Sequence, residues 1–193
     1  MNDIISQKKN LRKVLTKKRE IIKKNSKIEF NVDVFNKLKE YINFEKIKNV
    51  ASFNSIRSEI STHELNNKII ELNKILSFPI IKNNSQELIF KKANLKENFH
   101  IGKYKIPEPS FNNEEIQPQL FFVPCLGFDL NGYRIGYGGG FYDRTFTKLK
   151  KLNSKFYAIG FAFDQQKENL IPIENFDYKL DFVLTEKQLY TFI

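Results

Sequence analysis

The chain of 193 residues is 41% hydrophobic and 28% charged, with 19 Phe and 8 Tyr. That is too apolar for a disordered chain and too dispersed for a membrane span, and its length suits one hydrophobic core, so a single folded domain over 1–193 is expected. One cysteine, Cys125, and two isolated histidines, His63 and His100, exclude an intramolecular disulfide and a Cys/His zinc site, and point to a reducing, cytoplasmic setting.

The net charge of +10 is concentrated at the N-terminus, where residues 1–24 hold nine Lys and Arg against Asp3 and Glu20 and so supply +7 of it. This segment lacks the continuous apolar core of a secretory signal and reads as a helix of the mature fold. Ile4, Leu11, Leu15, Lys18 and Ile22 fall on one stripe, with Val14 and Ile21 at its edge. Lys8 and Arg12, a turn apart, border that stripe. Their charged tips either converge on one anion or snorkel into water beside the core. The basic run as a whole is open to the same pair of readings, a phosphate-binding arm or a solvated face.

A second helix is expected over Asn31 to Tyr41, followed by a strand through "KNVASFN" that ends near Asn54. Ser61 and Glu64 have the spacing of a capping box ahead of a helix containing Leu65, Ile69, Ile70 and Leu72. "ILSFPII" and "ELIFKK" have strand length, with Pro79 favouring a strand end or an edge. The Pro-containing stretch from Leu95 to Gln119 reads as an irregular connection, and "LFFVP" as a buried strand stopped by Pro124. A helix through "FTKLKKLNSK" and strands "FYAIGFAF" and "LDFVLTE" complete the set. Alternating strands and helices predict an α/β, three-layer domain, with a mainly parallel, possibly mixed sheet and helices on both faces. Ligands in such sheets gather beyond the carboxyl ends of the strands, which here are Asn54 to Glu59, the stretch after Pro124, and Asp164 onward.

Four of the eight glycines, Gly136, Gly138, Gly139 and Gly140, fall within five residues. Glycines before a helix let the backbone approach a ligand and leave the first helical amides facing it, an arrangement suited to phosphate. Neither the Walker nor the Rossmann pattern is present, since Phe141 and Tyr142 follow Gly140. By itself "GYGGG" fits a mobile loop or tight turn equally well. Arg134 before the cluster is either a bidentate phosphate donor or a surface charge, and Asp143 in the first helical turn suits magnesium or simply complements the helix dipole.

The stretch "FVPCLGFDLNGYRIGYGGGFYD" resembles the signature of the 5-formyltetrahydrofolate cyclo-ligase family, V-P-G-L-x-F-D-x-x-G-x-R-L-G-x-G-x-G-Y-Y-D. The likeness extends to "KKNLR", "SEIST", "IPEP" and "IPIENFDYKLDFVLTE", in order along the whole chain. Three positions depart from the family pattern: Cys125 for Gly, Tyr137 for Arg and Phe176 for His. The resemblance implies ATP-dependent cyclisation of 5-formyltetrahydrofolate to 5,10-methenyltetrahydrofolate with release of ADP and phosphate. It further implies that Lys8, Arg12, Arg134, Gly136, Gly138, Gly139, Gly140 and Tyr142 bind ATP, with Arg134 and Asp143 catalytic. Asp143 and Asp177 would hold Mg2+, and Asn54, Glu59, Tyr137 and Phe141 would contact the folate. A cytoplasmic monomer without nucleic-acid or membrane partners is expected. Two further readings are a nucleotide-binding relative with another substrate, kept open by Tyr137, and a basic nucleic-acid-binding module.

Overall fold

The computed structural model describes residues 2–27, 29–82 and 87–193. Helix α1 (Asn2–Asn25) is followed by α2 (Val32–Asn36), which tightens into a 3-10 turn over Lys37–Glu40. Strand β1 (Asn49–Ala51) leads through α3 (His63–Glu71) to β2 (Ile75–Ile81) and β3 (Leu88–Lys92). The stretch expected to be irregular contains the two-residue strands β4 (His100–Ile101), β5 (Pro107–Glu108) and β6 (Glu115–Ile116). Then come β7 (Leu120–Pro124), a hairpin of β8 (Gly127–Phe128) and β9 (Arg134–Ile135), and α4 (Phe141–Lys151). Strands β10 (Tyr157–Phe161), β11 (Phe182–Leu184) and β12 (Leu189–Thr191) end the chain.

Among the described residues eight strands form one sheet in the order β12-β11-β10-β7-β1-β2-β3-β6. From β11 to β2 the pairings are parallel, whereas β11–β12, β2–β3 and β3–β6 are antiparallel. Pro79 sits inside β2 but beyond Ser77, the last residue paired with β1, so its missing N–H interrupts no ladder on that side. Central strand β7 is apolar on both sides, as a strand covered on two faces must be. Leu120 and Phe122 pack with Phe35, Leu65 and Ile69 of α2 and α3, while Phe121 and Val123 pack with Phe146 of α4. The helices therefore lie on opposite faces and make three layers.

Helix α1 packs elsewhere, with Leu11 and Leu15 against Leu126, Ile135 and Ile171 beside the β8–β9 hairpin. The approach is close: a Cβ on Gly127 would stand 2.8 Å from Leu15 Cδ1. The buried face of α1 differs from the expected stripe. Lys8, Leu15, Arg19 and Ile22 are buried, whereas Val14 and Ile21 are each 62% exposed and Lys18 is half-exposed in an ion pair with Glu168. The face turns this way because partners deep in the fold meet the two cations. The expected capping box of α3 is also absent. Thr62 occupies the cap, its hydroxyl donates to the Phe53 carbonyl at 2.8 Å, and the Ser61 hydroxyl takes the His63 amide. Among the described residues no helix is long and apolar enough to cross a membrane.

The connection β1–α3–β2 runs to one side of the sheet and β7–α4–β10 to the other, with β1 and β7 adjacent and parallel. A crevice opens where neighbouring strands part in this way, beyond their carboxyl ends. The core beneath it is aromatic, with the Phe121 ring 5.1, 5.2 and 5.4 Å from those of Phe90, Phe146 and Phe156. Phe121→Ala is expected to lose about 3–5 kcal/mol of unfolding free energy in urea titrations, since a cavity remains where three rings met. Leu152→Ala, at a side chain 65% exposed, should stay within about 0.5 kcal/mol of the unaltered chain. A Phe121→Ala loss no larger than that of Leu152→Ala would contradict this packing.

Candidate active site

Two loops leave the adjacent ends of β1 and β7. The first, residues 54–62, is closed on itself: the Ser55 hydroxyl donates to the Ile60 carbonyl at 2.7 Å, and the Ile56 amide to Glu59 Oε2 at 2.9 Å. Asn54 Nδ2 donates to the Pro107 carbonyl at 2.8 Å, tying this loop to β5. The second begins at Cys125, turns through the hairpin and runs into the glycines. Asp129 shapes the hairpin by accepting the amides of Asn131 and Tyr133 at 3.0 Å and of Ile171 at 3.1 Å.

The buried guanidinium of Arg19 joins the two loops. Its Nε donates to Ser58 Oγ at 3.2 Å, Nη1 to the Cys125 carbonyl at 3.0 Å, and Nη2 to the Tyr137 hydroxyl. Glu59 Oε1 stands 3.7 Å from Nη1. Burial pushes the Glu59 carboxyl above its usual range, opposed by the Ile56 amide and by Arg19 and Arg57. Burial also pushes the Cys125 thiol up to about 12, so it is a packed side chain and no nucleophile at neutral pH.

In the glycine loop, Gly138 and Gly140 have φ of 100° and 65°, a region that side chains disfavour. Arg12 lies beneath it: its Nε donates to the Gly136 carbonyl at 2.9 Å, and a Cβ on Gly138 would be 3.2 Å from its Cζ. A Cβ on Gly136 would meet nothing within 4 Å, so this glycine answers no steric demand in the structure. Arg134 Nη2 donates to Asp143 Oδ1 at 2.8 Å and Nη1 to the Tyr178 carbonyl at 3.1 Å, while Asp143 Oδ1 also accepts the Tyr178 amide at 3.1 Å. Lys8 Nζ meets Glu174 at 2.8 Å and Asp177 at 2.5 Å. Because Tyr178 follows Asp177, the two aspartates expected to share a metal are brought to neighbouring segments, each facing a cation.

Phe141 sets its ring 6.0 Å from that of Tyr104, a half-exposed aromatic between β4 and β5. The Tyr142 hydroxyl is buried with no hydrogen-bond partner among the described residues, and burial raises its pKa. Of the residues expected at the site, Lys8 is thus joined to Asp177, Arg12 to Gly136 and Gly138, Arg134 to Asp143, and Glu59 to Tyr137 through Arg19. Asn54 instead turns its amide to Pro107. Sequence reasoning missed Arg19, although it stands four residues after Leu15 and three before Ile22, a spacing that shares their face. It also missed Glu174, Tyr104 and Arg57, which carry no local signal.

Residues 4–186 match the model of the 5-formyltetrahydrofolate cyclo-ligase family. The chain is 31% identical over 142 residues to the 5-formyltetrahydrofolate cyclo-ligase of Haemophilus influenzae, covering 71% of this chain and 75% of that protein. It is 29% identical over 182 residues to the enzyme of the same name from Mycoplasma genitalium, covering 92% and 96%. The solved structure of 5,10-methenyltetrahydrofolate synthetase from Aquifex aeolicus superposes with a TM-score of 0.71 at 26% identity, over 96% of this chain and 92% of that one. With the match extending over nearly all of the chain and the fold shared, this protein belongs to the 5-formyltetrahydrofolate cyclo-ligase family.

Proposed function

We propose that the chain closes 5-formyltetrahydrofolate to 5,10-methenyltetrahydrofolate, using ATP and releasing ADP and phosphate, in the crevice between the 54–62 loop and the glycine loop. The observation that carries this reading is Arg12 seated under Gly136 and Gly138, which puts a cation below a phosphate-type loop in a chain of cyclo-ligase ancestry. The formamide oxygen is a poor leaving group, so it first attacks the γ-phosphorus and ADP departs. N10 then adds to the activated carbon and loses its proton, and the C–O bond breaks with release of phosphate. Such a sequence needs orientation and charge neutralisation more than a protein nucleophile.

Lys8, Arg12 and Arg134 supply positive charge to the phosphates. The amides of Gly136, Gly138, Gly139 and Gly140 approach them without side chains, and Tyr142 belongs to the same set. Mg2+ fits the donor set, because it commonly takes one or two carboxylates together with substrate phosphates and water, and Asp143 and Asp177 lie on neighbouring segments. When bound there it would offset charge on the phosphates. On the folate side Asn54 has spent its amide on Pro107 and keeps Oδ1 to accept from the pterin, with Glu59 beside it and the rings of Tyr137 and Phe141 opposite. A cytoplasmic monomer acting as one domain over 1–193 belongs to the same proposal. Five of the nine N-terminal cations are engaged within the fold, Lys8, Lys18 and Lys23 in ion pairs, Arg12 on Gly136 and Arg19 buried, which weighs against a nucleic-acid-binding arm.

Methenyltetrahydrofolate absorbance should appear from 5-formyltetrahydrofolate only when MgATP is present, with one ADP formed per turnover. Turnover without nucleotide, or none with it in folded protein, would overturn the reading. Asp143→Asn keeps the shape and an acceptor for Arg134 while removing charge. It should therefore need roughly tenfold more Mg2+ for half-maximal activity, with a small change in melting temperature. A lower melting temperature with unaltered Mg2+ dependence would make Asp143 a loop anchor alone.

A further inference from the structure

Tyr137 stands in the glycine loop between Gly136 and Gly138. Two guanidinium groups lie against its ring: Cζ of Arg19 is 5.3 Å and Cζ of Arg57 5.4 Å from the centroid. They differ in what remains of their donors. Arg19 is buried and uses Nε, Nη1 and Nη2 on Ser58, Cys125 and Tyr137. Arg57 is exposed, and among the described residues it makes no hydrogen bond and no ion pair. A guanidinium resting on an aromatic ring keeps its in-plane N–H groups free for a bidentate oxyanion.

The backbone also marks the position. Arg57 has φ of 55°, a left-handed conformation uncommon for a residue with a side chain, within a loop fastened by the contacts of Ser55 and Glu59. Glu59 is the carboxylate on which both arginines act, so with Glu59 ionised the group of three carries one positive charge in excess. Such a cluster at the mouth of a crevice attracts an anion. The two walls identify which anion it is. Arg57 comes from the loop carrying Asn54 and Glu59, on the folate side, and reaches the phosphate loop at Tyr137. The group that must pass between those walls in this reaction is the terminal phosphoryl of the nucleotide.

We propose that Arg57, held against Tyr137, binds the terminal phosphate of ATP from the loop that faces the glycines. This rests on the cyclo-ligase reading above. Equilibrium binding of a non-hydrolysable ATP analogue and of ADP, both with Mg2+, tests it on the full chain, with folding of each variant checked by circular dichroism. Arg57→Ala should weaken the ATP analogue about tenfold or more and ADP less than about twofold, because ADP lacks the phosphate in question. Arg57→Lys should remain close to Arg57→Ala, since an ammonium lacks the planar fork. Equal losses for the two nucleotides, no loss for either, or a loss confined to 5-formyltetrahydrofolate would each overturn the proposal. If the unaltered chain bound neither nucleotide, the cyclo-ligase reading itself would fall, and the two failures are thereby distinguished.

Discussion

A single buried guanidinium, that of Arg19, determines how the crevice is arranged. It reaches from α1 to Ser58 on one loop, to the Cys125 carbonyl just past β7, and to Tyr137 in the glycine loop, with Glu59 as counter-charge. Taking such a charge out of water is costly and the partner carboxylate only partly offsets it, so the pair is weak evidence for stability. Its value here is specificity of arrangement. A planar group with donors in fixed directions permits one relative placement of the segments that bond to it. The chain of dependence then runs from the adjacent parallel strands β1 and β7, through Arg19, to two loops set opposite each other, and finally to the ligand groups those loops carry.

The second arginine–carboxylate contact works at a different level. Arg134 and Asp143 fasten the start of α4 to the segment around Tyr178, and Lys8 fastens the neighbouring Asp177 and Glu174 to α1. Without ligand, each acid at the proposed metal position thus has a cation against it. Phosphates and Mg2+ arriving together would bring both signs of charge and allow these pairs to be re-formed with little net change. A crevice that stores its charges in pairs avoids leaving an uncompensated buried ion in the free protein.

Much of the layered fold was legible because its strands are long apolar runs and its helices have a helical period. β7 read correctly from "LFFVP" alone, since a strand covered on both faces needs no polar alternation. The two-residue strands β4, β5, β6, β8 and β9 were not legible, because two residues contain no period. The stripe of α1 was misplaced for a related reason. Lys18 was placed on the stripe and Lys8 at its border, yet Lys8 and Arg19 are the buried cations, held by acceptors 166 and 106 residues away in the chain. Such acceptors are properties of the fold and leave no trace at positions 8 or 19. The Ser61 cap was misread because the Thr62 hydroxyl, turned back to Phe53, gives the loop and not the helix its closure. At the crevice, the order of glycines and charges was visible as a linear signature, whereas Arg57 depends on a left-handed residue in a loop whose course no local pattern announces.

The claim that one buried arginine holds the two walls together is tested most directly by amide hydrogen exchange on Arg19→Met, which keeps the apolar stem and removes the guanidinium. The account predicts faster exchange in residues 54–62 and 136–140 together, with α4 and β10 protected as before. Unchanged protection in both loops of a folded Arg19→Met chain would contradict it.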